Sequence, residues 1–426
     1  MANTASSQNA AVLIKRALNA YNSSNFDQAV EHSRAALIIL EGLEDSESHI
    51  LIDEAFERLA MAYQRIGDFA ASSEVITEWQ TRTQRPEGHV LARIQQARVA
   101  HYTGNYAEAK KLIEQATELA QAAGYPFGVG MAKRILADLM WKQGNTEDAM
   151  RLGQEALAVM EQAGEIEQQA AAHVTIAAAA HSSGQFYKAI QHLQRAARIV
   201  DQLGRQFEMA IILSNLGETY AELYAMDKAL EAHQSAIELV GIERAHPDLI
   251  RNLGVDQIAV GKEEEGQSNL NLALERAEAR HDPDMVAQVL YSLAQVDLSA
   301  GRLDEATKRA DRILEIAEQG DSLRHRIRAW MVQGEAAQKK GDQAQAQMLF
   351  HECSMAAQRA ADRHAIWRTH AALHDLSRET MPQMAEIHRR IAAEMMTNIL
   401  NTIEDPELHE TFRRAEPVQS VLGTEV

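Results

Sequence analysis

Two asparagines carry the sharpest chemical signal in this sequence. Asn215 and Asn252 each stand directly before Leu-Gly, in Asn215-Leu216-Gly217 and Asn252-Leu253-Gly254. A carboxamide offers a donor and an acceptor together, which is what a peptide unit needs from a partner. The same amide can equally bond a neighbouring helix, so the two readings stand side by side. Catalytic patterns are poor by comparison. His370 and His374 have the i, i+4 spacing of a zinc pair and Asp375 follows, yet no glutamate follows His370 and His364 falls off that face. Cys353, the sole cysteine, sits at a small inter-helix position that suits core better than a nucleophile. Gly261-Lys262 lacks the glycine a phosphate loop requires, and Gly128-Val129-Gly130 is no dinucleotide fingerprint. The expectation is a protein that is not an enzyme, with no cofactor and no metal.

Helices must position these residues. In a chain of 426 residues aromatics make up 5% and Pro numbers 7, a composition that favours helices over sheets. Aligned on the turn, the marks fall at Ser24, Gly67, Gly104, Gly144, Gly184, Tyr224, Gly261, Gly301 and Gly341, with steps of 43, 37, 40, 40, 40, 37, 40 and 40. Seven residues before each mark a small residue recurs, as Ala17, Ala60, Ala97, Ala137, Ala177, Gly217, Gly254, Ala294 and Gly334. Twelve after it stand Ala36, Ala116, Ala156, Ala196, Ala236, Ala273 and Cys353, with Trp79 and Ile313 as exceptions that imply locally wider packing. Pro86, Pro126, Pro247 and Pro283 lie in connections ahead of first helices, where a missing N–H costs nothing.

Leu216-Gly217-x2-Tyr220 followed by Ala229 and Ala236, repeated at this step, resembles the tetratricopeptide-repeat superfamily from about residue 11 to 360. The step of about 40 exceeds the usual 34. It is similar to the repeats of maltose-activator-like regulators, kinesin light chains, and the helical arms of bacterial signalling ATPases and cyclases. The resemblance implies an all-α fold, a right-handed α-α superhelix of about ten hairpins with first helices lining a concave groove. The expected division is a flexible N-terminus at 1–10, nine repeats over 11–360, a degenerate tenth repeat and capping helix over 361–415, and a flexible tail at 416–426.

In that register the positions −6, −3, −2, +1, +4 and +5 from the small first-helix residue should line the groove. They give Arg58, Arg65, Arg98, His101, Tyr102, Arg134, Asp138, Trp141, Lys142, His181, Asn215, Glu218, Arg251, Asn252, Tyr291 and Arg328. In ligand-binding members of the superfamily an asparagine at the Asn215 position grips the ligand backbone, and Tyr102 with Trp141 could anchor the same ligand or pack between repeats. Basic residues in the groove of a chain with net charge −19 suggest an acidic or carboxylate-bearing ligand, unless these are solvated faces paired with nearby glutamates. The net charge argues against direct nucleic-acid binding. No membrane-length apolar run and no signal-peptide pattern occur, and with one cysteine a cytoplasmic location is expected. The expected function is a scaffold that binds a peptide or partner protein in bacterial signalling or transcriptional control. The alternative is a sensor whose superhelix changes shape on binding a small molecule or short peptide. Apolar surface at either end of the array could drive homodimerisation.

Overall fold

A computed structural model describes residues 2–23, 25–143, 145–280, 282–319, 322–360 and 362–423, with side chains except at residues 2–4 and 142. The turn marks Ser24 and Gly144 and the Lys142 side chain lie outside the described residues. Among those described there is no strand. The helices pair in order: α1 (Ala2–Asn22) with α2 (Phe26–Ile39), α3 (Ser46–Ile66) with α4 (Phe69–Arg82), α5 (Pro86–Tyr102) with α6 (Tyr106–Ala122), α7 (Pro126–Lys142) with α8 (Thr146–Ala163), and α9 (Ile166–Ser182) with α10 (Phe186–Gln202). They continue with α11 (Gln206–Glu222) and α12 (Met226–Val240), α13 (Pro247–Ala259) and α14 (Glu263–Ala279), α15 (Pro283–Ser299) and α16 (Leu303–Gln319), α17 (Leu323–Lys340) and α18 (Gln343–Arg359), and α19 (Arg363–Ser377) and α20 (Pro382–Leu400). Two short helices, α21 (Pro406–Arg414) and α22 (Glu416–Leu422), close the described chain. This is the all-α hairpin array expected from the period. By contacts it divides into two compact units, Met1–Ala179 with Gln191–Ile212, and Ala180–Ile190 with Leu213–Val426.

Local chemistry sets the helix ends. Asp45, Asp68, Asp282, Asp342, Asp362 and Asp405 each accept the N–H three residues on, at 2.9–3.1 Å. Each such cap is worth about 1 kcal/mol. Pro86, Pro126, Pro247 and Pro283 each open a first helix, as expected, and Pro382 opens α20 in the same way. Between the helices of a hairpin the chain turns through a left-handed residue, a glycine at Gly67, Gly104, Gly184, Gly261, Gly301 and Gly341. The sixth hairpin puts Tyr224 there at φ 57°, the one positive-φ non-glycine among the described residues.

The small residues explain how the hairpins close. In the first unit Ala60 and Ser72 are fully buried, and the Ser72 hydroxyl donates to the Ala60 carbonyl at 3.2 Å across α3 and α4. Trp79 stands where other hairpins have alanine and is accommodated by specific partners. Its ring stacks on Phe56 with centroids 6.3 Å apart, and its Nε1 donates to Asp53 at 2.8 Å. In the second unit α13 and α14 bring backbone against backbone, and a Cβ added to Gly266 would lie 2.5 Å from the Gly254 carbonyl oxygen. Cys353 is fully buried at its packing position, and burial pushes its thiol up to about 11. Among the described residues no helix is long and apolar enough to cross a membrane.

Both ends differ from expectation. Helix α1 starts at Ala2, so residues 2–10 are helical rather than a flexible segment. Ser7 and Ala10 are buried, and the Ser7 hydroxyl lies 3.0 Å from that of Ser48 in α3. The segment expected as a frayed tail forms α22 over Glu416–Leu422. Val418 and Val421 are buried, and the Arg389 guanidinium donates to the Val421 carbonyl at 3.0 Å.

Candidate functional site

Each first helix buries one stripe of small residues against its second helix. The flanking positions of the same helix are left to face neighbouring first helices or solvent. Their chemistry falls into separate groups in the two units.

In the first unit the residues pair among themselves. Arg98 donates to the Tyr102 hydroxyl at 3.2 Å, with its guanidinium carbon 5.9 Å from the ring centroid. That guanidinium brings the Tyr102 phenol down to about 8, against an opposing effect of burial. Arg65 donates to the Tyr21 hydroxyl at 3.0 Å and lies over the Phe207 ring at 4.9 Å. Nearly buried Arg134 donates to Asp138 at 3.1 Å, and the other oxygen of Asp138 accepts from Thr175 at 2.7 Å. The Tyr102 ring meets Phe69 and His101, Trp141 is half-buried, and Arg58 has no ion pair among the described residues. A cleft of about 550 Å³ in this unit, lined by Gln80, Pro86, His89, Arg93, Leu119, Ala122 and Ala123, includes none of the groove residues expected from sequence.

In the second unit the two asparagines part company. Asn252 is buried, and its amide donates to Glu218 at 2.8 Å, tying α13 to α11. It therefore follows the neighbour-helix reading rather than the ligand reading. Asn215 is half-buried, and its side chain makes no hydrogen bond among the described residues; only its backbone carbonyl is used, by Thr219 at 2.7 Å. Asp138 to Thr175 and Glu218 to Asn252 both join the position after the small residue to the position two before it in the next hairpin.

Around Asn215 the other expected residues are close by in sequence register but differently engaged. Arg251 is held by Asp248 at 2.8 Å and reaches Ser292 at 3.5 Å. Arg328 lies over the Tyr291 ring at 5.4 Å and has neither an ion pair nor a hydrogen bond among the described residues. His181 is half-buried against Phe186 with centroids 5.3 Å apart, and its buried Nε2 has no hydrogen bond among the described residues.

Residues of the tenth hairpin join this group without having been expected. Arg368 reaches the Tyr291 hydroxyl at 3.4 Å, and His364 bonds Glu222 at 2.7 Å. Burial alone would raise the Glu222 carboxyl, but His364, with help from His181 and Arg368, brings it down to about 2. The signal that could have found them is the Trp367-Arg368 pair on α19, hidden because the small-residue register fades in that hairpin. The His370 and His374 pair is turned to protein partners. His370 Nδ1 faces His388 Nδ1 at 2.8 Å, and His374 Nδ1 lies 3.0 Å from the Ala385 carbonyl. Among the described residues no group of three or more His, Cys, Asp or Glu side chains could hold a metal ion.

Comparison with known proteins agrees with this hairpin. A tetratricopeptide-repeat model matches residues 90–162 and 168–240. No curated protein sequence matches the chain. Among solved structures, a Rap protein complexed with competence and sporulation factor is similar at 14% identity and TM-score 0.60, over 83% of this chain and 99% of that one. The apo quorum sensor NprR from B. thuringiensis is similar at 13% identity and TM-score 0.53, over 81% and 97%. A signal-transduction ATPase with a tetratricopeptide-repeat sensor from Pyrococcus horikoshii matches at 15% identity and TM-score 0.52, over 82% of this chain and 54% of that one. At these identities the likeness is one of fold. The chain carries tetratricopeptide repeats over residues 90–162 and 168–240, and helical hairpins continue on both sides of them.

Proposed function

We propose that this chain is a non-catalytic binding scaffold that takes a peptide, or an extended segment of a partner protein, along the first-helix positions of its second unit. The observation that carries the reading is the amide of Asn215. It is half-buried and makes no hydrogen bond among the described residues, while the amide of its counterpart Asn252 donates to Glu218. A carboxamide held on a helix beside an apolar stripe can both donate to and accept from a peptide unit. The similar Rap structure is a complex with competence and sporulation factor, which supports a signalling setting for this reading.

The test is affinity selection from a randomised pentapeptide library by the full chain and by Asn215→Ala. The wild type should enrich a defined set of sequences, and Asn215→Ala should lose at least about tenfold in affinity for them. Equal enrichment by both proteins would rule out this assignment.

A sensor reading draws support from two of the similar structures, described as a quorum sensor and as carrying a repeat sensor. In that case binding changes the arrangement of the hairpins, and the scattering radius shifts on adding the selected peptide. An unchanged radius leaves the scaffold reading and removes the switch.

A further inference from the structure

Tyr224 stands where a tyrosine is costly. Its φ of 57° is one that glycine supplies at Gly67, Gly104 and Gly184, and a left-handed tyrosine persists only where its surroundings hold it. Its ring lies 6.0 Å from that of Phe412 on α21. Leu408 and Phe412, four residues apart on one face of α21, are both buried. Phe412 borders a crevice whose walls include Phe186, Tyr224, Trp367 and Ile399. At the edge of α21, Glu407 pairs with Lys228 on α12 at 3.1 Å, an exposed contact of small worth.

The seat and its occupant are unequal. Phe186 and Tyr224 lie at the turns of the fifth and sixth hairpins, and Trp367 and Ile399 belong to helices of 15 and 19 residues. Helix α21 has 9 residues, too few for a helix to persist in water on its own. Its Glu410 is used within the helix, by Arg413 at 2.9 Å and by Arg414. Non-helical backbone at 401–405 and at Ala415 separates α21 from α20 and α22. Helix α22 keeps an anchor of its own, the bond from Arg389 to the Val421 carbonyl. Helix α21 can therefore leave the seat without unravelling what surrounds it.

We propose that this seat is a docking site for an amphipathic helix, and that α21 fills it until the helix of a partner protein displaces it. The occupant states the partner's chemistry. It has an acidic residue to meet Lys228, a leucine directly after it, and an aromatic residue four positions beyond the leucine. Tethering gives α21 a high effective concentration at the seat, so only a better-matched or longer helix takes its place. The proposal does not depend on the peptide reading above.

The probe is a fluorescein-labelled synthetic peptide with the sequence of residues 405–415, offered to the full chain and followed by anisotropy. Leu408→Ser/Phe412→Ser removes both anchors of α21, and this variant should bind the probe at least about tenfold more tightly than the wild type, whose seat is filled. Adding Tyr224→Gly, which keeps the turn and removes the ring, should take that gain away. Glu407→Lys, an exposed change that leaves both anchors in place, should give a smaller gain. In the unmodified chain, hydrogen–deuterium exchange should be faster in α21 than in α20. Equal binding of the probe by the wild type and both detached variants, or a gain that survives Tyr224→Gly, overturns the proposal. So does a double variant that no longer melts cooperatively, since α21 would then be part of the fold. A wild type that sediments as a dimer, with the double variant a monomer, would give the seat to a second copy's α21 and overturn the partner reading.

Discussion

Asn252 on α13 donates its side-chain amide to Glu218 on α11 at 2.8 Å, across one full repeat of sequence. The same dipeptide context at Asn215 leads to no such bond among the described residues, where only its backbone carbonyl is used. Two residues that read alike in sequence thus have opposite roles. Asn252 joins helices, and in the proposed function Asn215 is the one that meets the ligand.

Asn252→Ala should therefore lower stability by about 1–3 kcal/mol, since it removes a bond to a charged acceptor and leaves that acceptor half-buried. Asn215→Ala should stay within about 0.5 kcal/mol of the wild type. Urea unfolding of both variants checks this. Comparable losses would mean that Asn215 also has a structural partner.

Gly266→Ala should cost about 1–3 kcal/mol, because the new methyl would meet the backbone of α13 at Gly254 as well as the Ile258 side chain. Gly42→Ala offers a contrast in mechanism. No atom lies within 4 Å of its added Cβ, so its cost is the strain of φ +75° alone. Denaturation midpoints together with crystal structures would separate the two. A Gly266→Ala protein with wild-type stability would show that α13 and α14 can separate freely.

Tyr224 holds a left-handed turn that other hairpins give to glycine, and its ring lies 6.0 Å from that of buried Phe412. Tyr224→Ala loses the ring and keeps the strain, whereas Tyr224→Gly loses the ring and releases the strain. The glycine variant should be the more stable of the two by about 1 kcal/mol. The reverse order in thermal melts would mean that the turn carries no strain.

Two buried histidine pairs make stability depend on pH. His173 faces His192 at 2.9 Å and His370 faces His388 at 2.8 Å. Burial, then Arg195 and Arg198, lowers His173 to about 4; burial, then His388 and His351, lowers His370 to about 4. An unfolded histidine titrates near 6.5, so the unfolded chain binds more protons between these values. Stability from these pairs should be complete above about pH 6.5 and lost as pH falls towards 4, by about 1–3 kcal/mol per pair. Urea midpoints from pH 7 to 4.5 check this, with His173→Gln/His370→Gln as the comparison. A double variant with the same pH slope as the wild type would assign the loss to other groups.

The fold was legible because helix packing depends on residue volume at fixed spacing, and volume can be read directly. Alanine and glycine every 37 to 43 residues, with glycine at the turns, left few other folds open. The ends were not legible, because what orders residues 2–10 is a contact such as Ser7 with Ser48, 41 residues away. The site was half legible for the same reason. Register named Asn252, Arg134 and Arg98, but whether each is free depends on Glu218, Asp138 and Tyr102. Arg368 was missed because its hairpin had lost the register that would have aligned it with Tyr291.

The most direct test of a peptide site on the first helices of the second unit is hydrogen–deuterium exchange of the full chain, with and without the pentapeptide that the wild type selects. Slowed exchange should concentrate in α11, α13, α15 and α17 and should vanish in Asn215→Ala. Protection centred on α12, α14 and α16, or no protection anywhere, would contradict it.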